Sequence, residues 1–137
     1  MSEITIEISA GELFDRLSIL EIKKQRITDE KKLVNVVAEY NATYDLYESY
    51  MKTVHEDKIP LLNILRSRLT DINTIIWDIE DNIRSCELKQ DFGPKFIGLA
   101  RGVYFNNDDR AKYKREINAL VNAKFIEEKS YTQYTRS

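Results

Sequence analysis

The chain has 137 residues with 21 Lys or Arg, 23 Asp or Glu, and a formal net charge of −2. Only four Gly and two Pro occur, where average usage would give about 16, which argues against turn-rich all-β folds. One Cys and one His cannot supply a disulfide framework or a structural zinc site. The near-zero net charge argues against sequence-independent nucleic-acid binding. No apolar run reaches the roughly 20 residues of a membrane helix, and no signal peptide is evident, so we expect a soluble, cytoplasmic protein.

The N-terminal residues predict a short strand followed by a helix. Residues 4–8 alternate apolar and polar side chains, which is the period of a half-buried strand. Residues 124–131 are the one stretch that could pair with them, in a short β-ribbon joining the termini. Ser9 and Glu12 have the spacing of a capping box, which predicts the start of a first helix over about 10–27.

Two long helices are predicted next, over about 30–54 and 60–88. Thr28 and Asp29 form a cap signal before helix two, and Pro60 suits the first turn of helix three. In both helices apolar side chains recur at alternating intervals of three and four: Leu33, Val37, Tyr40, Tyr44, Tyr47, Met51 and Val54, then Leu62, Leu65, Leu69, Ile72, Ile76, Ile79, Ile83 and Cys86. Two such heptad patterns joined by a short loop predict a long antiparallel, coiled-coil-like hairpin.

The last third of the chain predicts two shorter helices. Pro94 suits a helix start, and Asn107, followed by two Asp residues, is typical of a helix cap. The predicted segments are a fourth helix over about 94–106, a fifth over about 108–122 and a tail over 123–137. The complete prediction is an all-α single domain, residues 1–137, with about five helices around one core.

Helix one carries charges on its apolar side. Arg16, Glu21 and Lys23 fall within a broad apolar arc when residues are projected at about 100° each. A charge on a core-facing arc must be paired or open to water, because burying it bare costs several kcal/mol. The three side chains therefore line a pocket, or they form inter-helix ion pairs with stems that reach outward. Both interpretations stay open.

Helix three carries a polar stripe beside its apolar seam, made of Arg66, Thr70, Asn73, Trp77, Glu80 and Arg84. The flanking face of an ordinary helix pair explains the charges, with Glu80 and Arg84 as a salt bridge one turn apart. It explains Trp77 less well, since a Trp beside Glu and Arg can stack on a planar ligand or cover the edge of the core.

A third polar cluster spans the predicted turn between helices four and five. Its members are Arg101, Tyr104, Asn107, Arg110 and Lys114. Cations and neutral donors near a helix N-terminus can hold a phosphate or a carboxylate. The alternative is a solvated face with Asp108 and Asp109 as neighbours.

No catalytic residue, metal or cofactor is assigned. P-loop and GxGxxG sequences are absent, and His55 lies in a predicted polar loop without a nucleophile arrangement. Cys86 occupies an apolar seam position, which is typical of a buried small side chain. Glu21 and Glu80 are the candidates for a general base if chemistry occurs, so the sequence favours a protein that is not an enzyme.

Five blocks of the sequence, residues 6–23, 77–84, 99–104, 107–118 and 127–131, span nearly the whole chain. The first reads IEISAGELFDRLSILEIK, the second WDIEDNIR and the last EEKSY. Together they resemble a family of small bacterial and phage proteins described as a domain of unknown function. The resemblance implies a single domain and supplies no activity or catalytic residue, although its blocks touch all three polar clusters.

Two functions stay open on the sequence alone. The first is a non-enzymatic helical-bundle binding protein that acts by self-association or through a protein partner, since Tyr and Met suit interfaces. The second is a pocket between helices one, three and the helix four–five turn for an anionic small molecule, such as a nucleotide or sugar phosphate. There Arg16, Lys23, Arg84, Arg101, Arg110 and Lys114 would hold the charge, Trp77 or Tyr104 would stack, and Glu21 or Glu80 would accept hydrogen bonds. Neither nucleic acid nor a membrane is expected as a partner.

Overall fold

The computed structural model describes residues 2–136, and over this range it is all-helical with no strand. The helices are α1 (Ala10–Arg26), α2 (Glu30–Met51), α3 (Ile59–Lys89) and α4 (Pro94–Leu120), with a 3₁₀ turn at Glu56–Lys58. Residues 2–9 and 125–136 have no regular secondary structure. The all-α prediction is confirmed, while residues 1 and 137 of the predicted domain lie outside the described range.

The predicted helix starts follow local hydrogen-bonding groups. The Ser9 hydroxyl accepts from the Glu12 amide at 3.2 Å, and the Asp29 carboxylate accepts from the Lys32 amide at 3.0 Å. Only half of the predicted capping box forms, because the Glu12 carboxylate binds basic side chains instead of the Ser9 amide. α2 ends at Met51 rather than Val54, and a turn with a 3₁₀ segment leads into α3.

The predicted break between helices four and five is wrong. The segments 94–106 and 108–122 form one continuous helix, α4, which passes through Asn107 without interruption. Asp108 and Asp109 do not cap a new helix, because their carboxylates bind Tyr134 and Arg136 of the C-terminal segment. Because both carboxylates bind the C-terminal segment, neither caps a helix N-terminus, and α4 continues through these positions.

The predicted coiled-coil-like hairpin of helices two and three is also wrong. α3 pairs closely with α4 as an antiparallel hairpin, α1 packs on both of them, and α2 packs on α1. α2 and α3 have few close contacts with each other, among them a hydrogen bond in which Arg66 donates to the Tyr47 hydroxyl at 3.4 Å. Because α1 is apolar over more than half of its circumference, it can pack against three helices at once. It therefore lies at the centre of the bundle, where the apolar seams of helices two and three were expected to meet each other.

The core forms where α1 meets the other three helices. Its fully buried apolar side chains are Phe14, Leu17, Leu62, Leu69 and Ile117. Tyr47 of α2 closes one side, with its ring centroid 5.3 Å from that of Phe14 in an edge-on arrangement. The Tyr-rich seam of α2 therefore packs on α1.

The predicted β-ribbon is absent from residues 2–136. Ile4 and Ile6 are 88% and 69% exposed, and an exposed ion pair between Lys124 and Glu7 (3.3 Å) links the two segments. The segment 123–136, called the tail below, instead turns back along α4 and is held there by Lys114, Asp108 and Asp109. These contacts place the tail along α4 rather than beside residues 4–8.

None of the helices within residues 2–136 combines the length and the apolar character that crossing a bilayer requires.

Gly11 marks the closest approach between α1 and α4. Its amide donates to Asn118 Oδ1 at 2.8 Å, and a Cβ there would lie 2.6 Å from the Lys114 carbonyl oxygen. Since that oxygen belongs to helical backbone, Gly11→Ala should lower the free energy of unfolding by about 2 kcal/mol, as overpacking does. Urea unfolding followed by circular dichroism measures this change.

Gly98→Ala is the matched control for this prediction. Gly98 also lies in a helix, but nothing stands within 4 Å of a Cβ there. Alanine should therefore stabilise the protein by about 0.5–1 kcal/mol through helix propensity. Equal effects of the two substitutions would contradict the close approach at Gly11.

Candidate functional site

A buried ionic network joins α1 to α3 and α4. The Asp15 residue is 2% exposed, and its carboxylate accepts two hydrogen bonds from Arg110, through Nε at 2.8 Å and through Nη2. Asn73 Nδ2 donates to the same carboxylate at 2.9 Å and to Ser18 Oγ at 2.7 Å. The hydrogen bond to Asp15 raises the pKa of the Arg110 guanidinium, although burial opposes this. Asp15 is thus a charge-paired, fully bonded anion inside the bundle.

Lys114 forms a second ionic cluster one turn further along α4. Its ammonium group lies 3.0 Å from the Glu12 carboxylate and 2.8 Å from that of Glu127 in the tail. Burial lowers the pKa of Lys114, but hydrogen bonds to Glu127 and Glu12 outweigh this and raise it overall. Burial likewise raises the pKa of Glu12, yet Lys114 and Arg16 bring it below its ordinary value of 4.5.

An open cleft of about 380 Å³ lies beside the Asp15 network, between α1 and the α3–α4 hairpin. Its apolar walls are Ile19, Ile22, Ile76 and Trp77, and its polar lining is Asn73, Glu80, Asp81, Arg84 and Arg110. The apolar walls and the few polar groups are typical of small-molecule sites, and the volume falls within their usual range. We call this surface the cleft below.

The cations of the cleft are already matched by carboxylates. Arg84 pairs with Glu80 on the same helix, and Arg110 pairs with Asp15. Asp81 forms no ion pair within the described chain and is exposed. The cleft therefore carries no surplus of positive charge.

The structure brings together four of the residues predicted for a ligand site: Trp77, Glu80, Arg84 and Arg110. Asn73, which belonged to the same predicted stripe on helix three, lies at their base. These residues come from α3 and α4, as the pocket hypothesis expected. The contribution of α1 is apolar, through Ile19 and Ile22, rather than the charges predicted there.

The predicted charges of helix one lie elsewhere. Glu21 pairs with Arg66, whose guanidinium lies 4.6 Å from the Tyr47 ring centroid, so that pair faces α2 and α3. Arg16 is exposed and binds Glu12 at 3.0 Å. Lys23 is half-buried and does not line the cleft. Glu21 and Glu80, the two candidate bases, thus belong to separate regions.

The remaining predicted residues lie beside the tail. Asn107 and Lys114 line a small polar cavity of about 90 Å³ beneath it, together with Arg110, Glu127 and Lys129.

Arg101 and Tyr104 lie nearer the start of α4, where Tyr104 packs edge-on against Phe105 and Tyr134. The guanidinium of Arg101 stands 5.3 Å from the Phe105 ring centroid. The predicted third cluster is therefore divided: Asn107 and Lys114 lie beneath the tail, Arg101 and Tyr104 are exposed, and Arg110 lines both the small cavity and the cleft.

Sequence reasoning missed Asp15, which organises the network. A signal was present, since Asp15 and Ile22 are seven residues apart and project within about 20° of each other. Gly11 and Ser18 lie on the same side of α1. The sequence therefore indicated a helix face made of small residues and one acid. Asn118 of α4, which caps the contact at Gly11, left no comparable signal.

The arrangement defines an all-helical protein with a buried ionic network and an adjoining cleft. The chain belongs to the family described as "Family of unknown function (DUF6165)", whose model matches residues 4–136. No curated protein matches the chain, and no solved structure does. In the described part of the chain, no group of three or more His, Cys, Asp or Glu residues could hold a metal ion.

Removing one partner of the Asp15–Arg110 pair should destabilise the bundle strongly. Asp15→Leu should cost about 3 kcal/mol, at the low end for a broken buried pair because the Arg110 side chain is 29% exposed. Asp15→Leu with Arg110→Met should cost clearly less, since no charge is then left unpaired. Chemical unfolding measures both values, and a double variant less stable than the single one would contradict the prediction.

Glu12 should make the free energy of unfolding depend on pH in the acidic range. Because its pKa is lowered in the folded protein, its contribution is complete above its ordinary value of 4.5 and is lost as the pH falls through the folded-state pKa. Glu12→Gln removes that contribution, so wild type and variant should differ most at neutral pH and converge in acid. Urea unfolding at a series of pH values measures this, with Glu39→Gln, an exposed acid on α2, as the control that stays parallel to wild type.

Proposed function

We propose that the chain is a non-enzymatic binding protein that associates with a second copy of itself through an exposed face of α2. The observation that carries this proposal is the uncovered start of α2. Lys24, near the end of α1, lies 4.0 Å from the Tyr40 ring centroid. The part of α2 that precedes Tyr40 therefore extends past the end of α1.

This part of α2 carries an apolar groove. The groove is lined by Leu33, Val34, Val37 and Ala38 with Glu30 and Asn41 at its borders. Val34 is 69% exposed, and no other helix within residues 2–136 packs over it. Contiguous exposed apolar side chains of this kind mark interaction sites in proteins.

The charges beside the groove favour a second copy running antiparallel. Five exposed residues of α2 recur at intervals of three and four and therefore lie on one face of the helix: Lys31, Val34, Ala38, Asn41 and Asp45. In a two-fold antiparallel pair centred on Ala38, Lys31 of each copy meets Asp45 of the other. Such an isologous contact requires a self-complementary surface, which this face provides.

Both glutamates that were considered as general bases form ion pairs, which supports a binding function rather than an enzymatic one. Glu21 is paired with Arg66 and Glu80 with Arg84. Each carboxylate is therefore already engaged by an arginine of its own chain and would have to leave that partner to reach a substrate. A different protein partner could use the same face of α2, and the experiment below separates the two cases.

The self-association is tested by light scattering across a concentration series. Wild type should show a monomer–dimer equilibrium, and Val34→Asp should raise the dimer dissociation constant at least about tenfold, because it places a charge in the apolar contact. Leu46→Asp is the matched control: Leu46 is 54% exposed on the same helix but lies about 120° around it from Val34. It should leave the equilibrium unchanged.

A charge swap gives the test of orientation. Lys31→Asp and Asp45→Lys should each weaken the dimer, and the double variant should restore it if the helices run antiparallel. Wild type that stays monomeric at the highest soluble concentration would overturn self-association and leave this face to a different protein.

A second candidate function is small-molecule binding in the cleft, favoured by the convergence of four predicted residues there. The sequence-based expectation of a phosphorylated ligand has weaker support, because Glu80 and Asp15 neutralise the arginines that would bind it. The cleft is independent of the α2 face, so each function can fail without the other.

A further inference from the structure

The walls of the cleft suit the apolar body of a small organic molecule. Ile19 and Ile22 form the α1 side, and Ile76 and Trp77 form the α3 side. Trp77 is only partly buried, so one part of the indole remains available to a ligand. A volume of about 380 Å³ accommodates a molecule the size of a substituted aromatic ring.

Asn73 adds a fixed hydrogen-bond acceptor at the base of the cleft. The residue is 5% exposed, and its Nδ2 donates to both Asp15 and Ser18. Since a carboxylate can only accept, this assigns the amide orientation and turns Oδ1 away from Asp15. No group in residues 2–136 donates to Oδ1, and no buried side-chain oxygen is left without a partner there. Oδ1 is therefore accessible at the cleft that Asn73 lines.

The charges of the cleft select against an anion. Arg84 and Arg110 are each paired with a carboxylate, whereas Asp81 is not. Asp81 lies one helical turn after Trp77, so a carboxylate and an aromatic ring face the same ligand position. Carboxylates attract a cation by charge, and the face of a Trp ring attracts it through its quadrupole. An anion at that position would meet Asp81 and Glu80.

The geometry points to the cleft as a binding site for an organic cation, an amine carried on an apolar body. The body lies between Ile22 and Trp77, and the ammonium group is oriented toward Asp81. Asn73 Oδ1, about 12 Å along α3 from Asp81, accepts from a second donor where the body carries one. This assignment rests on the second candidate function and names its ligand class.

Trp77 is the only Trp in the chain, so its fluorescence reports directly on the cleft. Three probes with the same body separate charge from apolar contact: 4-phenylbutylamine, 4-phenylbutanol and 4-phenylbutyrate. We expect a saturable change in Trp77 emission with the amine, a weaker one with the alcohol and the weakest with the carboxylate.

Asp81→Asn should weaken binding of the amine about fivefold, the size of a partly exposed ion pair, while binding of the alcohol stays unchanged. Asp71→Asn, an exposed acid of α3 outside the cleft, is the control and should change neither. Ile19→Ala should weaken all three probes, because it shortens a shared apolar wall.

The outcomes separate this inference from the function on which it rests. Tighter binding of 4-phenylbutyrate, or amine binding that ignores Asp81→Asn, overturns the cation assignment while small-molecule binding stands. No response of Trp77 to any probe overturns both, and light scattering decides self-association independently.

Discussion

The buried carboxylate of Asp15 is the group on which the arrangement of the helices depends. Left without partners, it would cost several kcal/mol, so α1 is stable only where Arg110 and Asn73 reach it. Apolar burial of Phe14 and Leu17 supplies more free energy but is not directional. We infer that burial drives α1 onto the α3–α4 hairpin and that the Asp15 network selects its register there.

Both proposed binding surfaces follow from the central position of α1. Because α1 packs against three helices, α2 has α1 as its main support, and the part of α2 before Tyr40 is left uncovered. On its other side, α1 places Ile19 and Ile22 over α3 beside the Asp15 network, which forms the cleft.

The acidic and basic residues of α4 hold the tail as part of the bundle. Lys114 binds Glu127, and Asp109 binds Arg136 at 2.9 Å. Lys114 and Arg110, two of the cations predicted to hold a free anion, are thus paired with carboxylates of the same chain. The same pairing explains why Asn107 and its neighbours do not end the helix and why Lys114 tolerates burial without losing its proton.

Local signals in the sequence determined the helical class and the starts of the helices. Ser9 and Asp29 cap by hydrogen bonds that span three residues, and Pro94 acts through its own backbone, so neighbours in the sequence suffice to predict them. The periodicity also indicated which side of α2 and of α3 is apolar. Only the tertiary structure decided which helix covers that surface and which charge meets Asp15. The reason is that apolar contact is non-directional, and an ion pair between residues 15 and 110 joins groups that the sequence alone does not bring together.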